Sequence, residues 1–174
     1  MPSPFFIVDA FTSEPFSGNA AAVVLDAAEW GDARMAAVAA EFNLSETTFV
    51  LPATQPNADV RFRWFTPTVE VDMCGHATVA GVHAMLEAGR FRRVVGGTTR
   101  VRVETRSGIL SVDVEEAVEM PGGPMIWLGM PTPRVEPMHL LKEELTEGLG
   151  VPLDAFDLEQ PFLRTQDSDA IVFV

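Results

Sequence analysis

The residues with most chemical promise lie in Asp72-Met73-Cys74-Gly75-His76-Ala77-Thr78, where a thiol, a glycine and an imidazole stand directly before an apolar helical stretch. The amides that open a helix suit a carboxylate or a phosphate, and the positive end of the helix dipole strengthens that attraction. Gly75 and His76 therefore read either as an anion cradle or as a plain sharp helix start with a capping histidine; spacing alone favours the plainer reading. Glu46, in Asn43-Leu44-Ser45-Glu46-Thr47-Thr48, falls between a helix stop and a strand, a place from which a carboxylate can enter a cleft. The electronegative end of the preceding helix would favour its protonated form, as general acid/base work at neutral pH requires, while a solvated loop glutamate is the plainer alternative. Cys74 reads as a proton shuttle whose pKa a helix N-terminus would lower, or as a small buried apolar side chain.

Other chemistries find less support. His83 follows His76 on the same helix among apolar neighbours and reads as structural, and His139 carries no signal. Three scattered histidines, one cysteine and no His-x-x-x-His pair lead us to expect no metal site. Gly96-Gly97 and Gly122-Gly123 do not open onto helices, so no phosphate loop is expected. The sequence has no tyrosine, so no phenol can act as an acid.

These groups need elements to position them. Phe5 to Phe11 and Ala20 to Leu25 read as strands around a Ser/Pro/Gly turn. Asp32 is expected to cap a helix in which Met35, Val38, Ala39 and Phe42 recur at helical spacing, with Asn43 as its stop. Thr47 to Leu51, the alternating Val60 to Trp64 and the short Thr68 to Asp72 are extended. His76 to Ala88, ending at Gly89, is a helix apolar nearly all round, and such a helix must be enclosed by other structure. Thr98 to Thr105 and Ile109 to Glu115 form a hairpin through Gly108, and Met125 to Met130 is a further strand. The expected fold class is α+β, a mixed sheet or barrel wrapped around one buried helix. Residues 1–130 are taken as one lobe, the Pro-rich 131–137 as a connector, and 138–174 as the beginning of a second lobe. That second part would hold a helix around Leu140, Leu141, Leu145 and Leu149, and a strand over Ala170 to Val174.

The whole chain has 174 residues, 47% of them hydrophobic, and no apolar run approaches the roughly 20 residues of a bilayer span. With 12 basic against 25 acidic residues the net charge is −13, so neither nucleic acid nor an anionic membrane is an expected partner. A small anionic substrate drawn to one local positive site is expected instead. One cysteine excludes an intramolecular disulfide, and MPSPFFIVDAF lacks a basic signal-peptide start, so a cytoplasmic location is expected.

Several ordered motifs carry a family likeness. Asp9-Ala10-Phe11-Thr12 with Phe16-Ser17-Gly18-Asn19-Ala20-Ala21-Ala22-Val23, then Ser45-Glu46-Thr47-Thr48-Phe49-Val50, then Arg63-Trp64-Phe65-Thr66-Pro67 with Glu70-Val71-Asp72-Met73-Cys74-Gly75-His76-Ala77-Thr78, resemble the PhzF-like phenazine-biosynthesis isomerases. The resemblance implies the diaminopimelate-epimerase-like fold, with two similar lobes, each a sheet around a central helix, and a site in the cleft between them. It implies that Glu46 is the catalytic acid/base that moves a proton between carbons of a small cyclic or amino-acid-like carboxylate. Gly75, His76 and Asn19 match substrate-contacting positions. It also implies no cofactor, and a homodimer is expected. The family's second lobe carries a Glu-Asp-Pro-x-Thr-Gly-Ser segment that has no counterpart in these 174 residues, so the chain is expected to be truncated before that lobe is complete. Ala20 stands where the family usually has proline.

Met73-Cys74-Gly75-His76 is similar to proline-racemase-like enzymes as well, with Cys74 as an alternative acid/base, although those enzymes need a second cysteine. A non-catalytic binding or dimerisation module is the third reading, since an exposed apolar inter-lobe face favours self-association.

Overall fold

Alternation of apolar and polar residues gives each strand one face to bury, and the apolar helix supplies what that face must cover. The computed structural model describes residues 3–92, 94, 96–115, 123–130, 132, 134–138, 142–150, 152–156, 159, 162–165 and 170–171. Two units result, one up to Met130 and one from residue 131 onward.

In the first unit the order is β1 (Phe5–Ala10), β2 (Asn19–Val24), α1 (Asp32–Phe42), β3 (Thr47–Leu51), β4 (Val60–Phe65), β5 (Glu70–Val71), α2 (Gly75–Glu87), β6 (Thr98–Thr105), β7 (Gly108–Glu115) and β8 (Met125–Leu128). The strands form one eight-stranded mixed sheet in the order β1-β2-β3-β4-β6-β7-β8, with β5 branching from β4. β2 runs parallel to β3 and β4 parallel to β6; the other neighbours are antiparallel. The sheet curls into a half-barrel with α2 in its concavity, where the helix packs against β1, β2, β3, β4 and β8.

α2 buries Ala77, Thr78, Ala80, Gly81, Val82, Ala84, Met85 and Leu86, so its apolar circumference is enclosed as the sequence requires. Phe62, Trp64, Val101, Val103 and Val112 meet it from the sheet. Gly81 is where the helix comes closest: a Cβ there would lie 2.7 Å from Phe62 Cε2 and 3.1 Å from Thr48 Cγ2. α1 packs on the opposite face of β3 and β4, through a separate cluster of Met35, Ala39, Phe49 and Phe65.

Some boundaries differ from the sequence reading. β1 stops at Ala10 because Phe11 turns to φ 65°. Asp32 does not cap α1. Gly31 holds the N-cap position, and the Asp32 carboxylate, inside the first turn, instead accepts a 2.7 Å bond from Arg63 Nη1. A charge-assisted long-range bond thus outcompetes the local cap.

In the second unit, β9 (Val135–Pro137), β10 (Leu163–Thr165) and β11 (Ala170–Ile171) make a three-stranded sheet ordered β11-β10-β9, with α3 (Lys142–Leu149) and a single 3-10 turn at Leu153–Ala155. The Pro-rich stretch read as a connector therefore carries a strand. Pro137 is tolerated at its end because β9 lies at a sheet edge. His139, Leu140, Leu141, Gly122 and residues 172–174 lie outside the described residues. No described helix is long and apolar enough to cross a membrane.

Candidate active site

Two segments converge at the start of α2. The first leaves α1. Asn43 adopts the left-handed conformation (φ 52°, ψ 34°) and its N–H returns to Ala39 O at 3.1 Å, which ends the helix. Three residues later the Glu46 carbonyl accepts from Ala22 N at 3.3 Å, locking its backbone to β2. Inside β3, Thr48 Oγ1 donates to Ala77 O at 2.8 Å, tying that strand to the first turn of α2.

The second segment is positioned by charge. Arg63 donates to both Glu70 oxygens at 2.7 Å; Arg106 reaches Glu70 and Asp72, each at 3.0 Å. Ser107 Oγ donates to the Asp72 carbonyl at 3.3 Å. Arg63's hydrogen bond, and then its charge, hold the Glu70 carboxyl below its ordinary value. Cys74 follows in extended conformation as the N-cap of α2, and its carbonyl accepts from both Thr78 N and Thr78 Oγ1.

At the junction, His76 Nε2 lies 3.3 Å from Glu46 Oε2 and 3.2 Å from Ser45 Oγ, while Nδ1 lies 3.4 Å from Cys74 Sγ. An imidazole protonated on Nε2 donates to the Glu46 carboxylate and accepts a hydrogen bond from the Cys74 thiol at Nδ1, a chain that links all three groups. The Glu46 and His76 side chains are 20% and 10% exposed, enough for a ligand to reach them and little enough to keep water scarce. The ligand-type atoms of Glu46, Cys74 and His76 all lie within 4.8 Å of one another.

Cys74 corrects an expectation. Its pKa is pushed up to about 11, chiefly by burial and further by the Glu46 carboxylate, against a lowering from the Ala77 and His76 amides. The helix N-terminus acts in the expected direction and is outweighed.

Gly75 opens α2, and a Cβ there would meet only Leu128 Cδ2 at 4.0 Å, an ordinary contact. The fold has no steric need for glycine at this point. Asn19 opens β2, exposed, at the end where the parallel β3 also begins, and it takes no part in the Glu46–His76–Cys74 chain of contacts. Sequence reasoning missed Ser45 as a site residue, although it adjoins Glu46, and missed the supporting Arg63–Glu70–Arg106–Asp72 network. A cavity of about 530 Å³ lies elsewhere, lined by Val8, Asp9, Val79, His83 and Met125 among others, and contains none of the converging groups.

Comparison with known proteins bears on this geometry. A family described as phenazine biosynthesis-like protein (PhzC–PhzF) matches residues 8–174. An uncharacterized isomerase of Pseudomonas aeruginosa is 39% identical over 96% of this chain and 56% of its own length. Another, of Halalkalibacterium halodurans, is 36% identical over 87% of this chain and 52% of its own. The crystal structure of a PhzF-family phenazine biosynthesis protein of Bacillus anthracis superposes with a TM-score of 0.81 at 32% identity, covering 99% of this chain and 56% of that one. The chain thus spans about half the length of the relatives it matches.

Proposed function

The chain belongs to the PhzC–PhzF family of phenazine biosynthesis-like proteins, and from that premise we propose that it supplies the proton-transferring half of an isomerase site. The observation that carries this reading is the 3.3 Å approach of Glu46 Oε2 to His76 Nε2 at the mouth of α2. A carboxylate on a backbone-anchored turn, oriented by an imidazole, can take a proton from a carbon made acidic by conjugation and return it to another carbon on the same face. One carboxyl performs both steps, so no cofactor is needed. His76 orients the carboxylate and meets a polar group of the substrate. With no atom nearer than Leu128 Cδ2 to a Cβ at Gly75, a substrate carboxylate can approach the first amides of α2. Asn19 reaches the same end of the sheet as a secondary contact. The substrate is a small cyclic or amino-acid-like carboxylate; its identity depends on residues beyond these as well.

The test is proton exchange. A panel of small unsaturated and amino carboxylates is incubated with the protein in heavy water and followed by NMR. A responsive compound should acquire deuterium at carbon, and Glu46→Gln should slow that exchange by about 10²–10⁴-fold. Exchange that persists undiminished in Glu46→Gln removes Glu46 from the mechanism.

A further inference from the structure

We propose that Glu46, Cys74 and His76 form a three-ligand site for a borderline-soft divalent cation of the zinc class. We further propose that the bound cation silences the proton transfer assigned to Glu46; this second statement rests on the functional reading above, the first does not.

Spacing along one helix spoke against a metal, but the ligands come from two segments, and Ser45 and His76, in hydrogen-bond contact, are 31 positions apart. A thiolate, an imidazole and a carboxylate are the donor set that zinc takes, whereas magnesium and calcium prefer oxygen alone. Bond lengths of roughly 2.0–2.3 Å at tetrahedral angles place ligand atoms about 3.3–3.6 Å apart. With His76 ligating through Nδ1, the Cys74 Sγ to His76 Nδ1 separation of 3.4 Å is already of that size. One ligand atom from each of Glu46, Cys74 and His76 lies within 4.8 Å of the other two, so the Glu46 carboxylate has only a short way to move to share an ion with the thiol and the imidazole. With Nδ1 on the metal, Nε2–H can donate to Ser45 Oγ at 3.2 Å, the kind of outer hydrogen bond that fixes a ligating imidazole. Three protein ligands leave a fourth position for water or a substrate carboxylate.

The balance is simple. Sulfur, one imidazole nitrogen and one carboxylate oxygen each form a bond to the ion, the thiol proton leaves to buffer, and no electron is transferred. A carboxylate bound to the cation through one oxygen is a much weaker base at the other, which suppresses its uptake of a carbon-bound proton.

Cobalt(II) is the probe, because it occupies zinc sites and its thiolate bond gives a near-ultraviolet charge-transfer band. The sequence has a single cysteine, so the band can arise from one residue only. The full chain titrated with cobalt should develop that band to an equimolar end point, and zinc should abolish it. Cys74→Ser should remove it, and Glu46→Gln and His76→Ala, each checked for native circular dichroism, should weaken cobalt binding by at least about tenfold. Absence of the band at saturating cobalt in the unmodified protein overturns the proposal whatever the variants do. So does cobalt affinity unchanged in both Glu46→Gln and His76→Ala. These spectra need no substrate, so their failure leaves the isomerase reading standing, and failure of the exchange assay leaves the metal site standing.

Discussion

The two segments that meet at the site are held in different ways. Asn43–Glu46 is fixed by main chain: a left-handed helix stop, a carbonyl bonded to β2 and the start of a central strand. Glu70–Asp72 has only a two-residue main-chain pairing with β4 and adds a side-chain charge network through Arg63 and Arg106. A backbone ladder tolerates exchange of side chains, because its hydrogen bonds do not depend on them. A charge network does not. Glu46 thus stands on main-chain support, whereas the segment that leads into α2 and His76 leans on charged side chains.

The largest effect should come from cutting that network. Arg63 and Glu70 side chains are 13% and 15% exposed. Arg63→Met should cost about 2 kcal/mol in urea unfolding, below the roughly 3–5 kcal/mol of a fully buried pair because both retain some solvent. The same variant tests the pH dependence. The Glu70 carboxyl ordinarily titrates at 4.5 and is lowered in the folded protein by Arg63. Its contribution is therefore complete above that value and lost as pH falls through the lower, folded one. The acid limb of the stability curve should become shallower in Arg63→Met; an unchanged limb would mean that the pair does not hold this segment.

A smaller effect should follow at the link between the two segments. Thr48→Val removes the bond to Ala77 O without changing shape much, and should cost about 1 kcal/mol. A cost as large as that of Arg63→Met would erase the distinction between backbone and side-chain support.

Gly75→Ala should change stability least, by no more than about 0.5 kcal/mol, since the added methyl meets only Leu128 at 4.0 Å. Deuterium exchange into a responsive substrate should nevertheless fall. Equal loss of both would make Gly75 a folding residue and not part of the substrate's approach.

Much of the first unit was legible because its signals are local or periodic. The Thr98–Thr105 and Gly108–Glu115 hairpin follows from alternation and a glycine turn, and the enclosure of α2 follows from its uniform apolarity. Glu46 and His76 were legible as candidates through their motifs, but their contact was not, since no periodicity links two segments so far apart. Asp32 misled for the same reason: the capping rule looks only a few residues ahead, and Arg63 enters from another strand. Cys74 misled because a dipole can be read from helix position whereas burial and a facing carboxylate cannot.

The suppressed acidity of Cys74 also shapes how the protein can be handled. Burial and the facing Glu46 carboxylate push its pKa up, so a smaller share is ionised at neutral pH than of a free cysteine, and alkylating reagents and disulfides react through the thiolate. The one sulfhydryl in these 174 residues should therefore react more slowly with maleimide dyes than a free cysteine, and a label placed on it marks the start of the central helix.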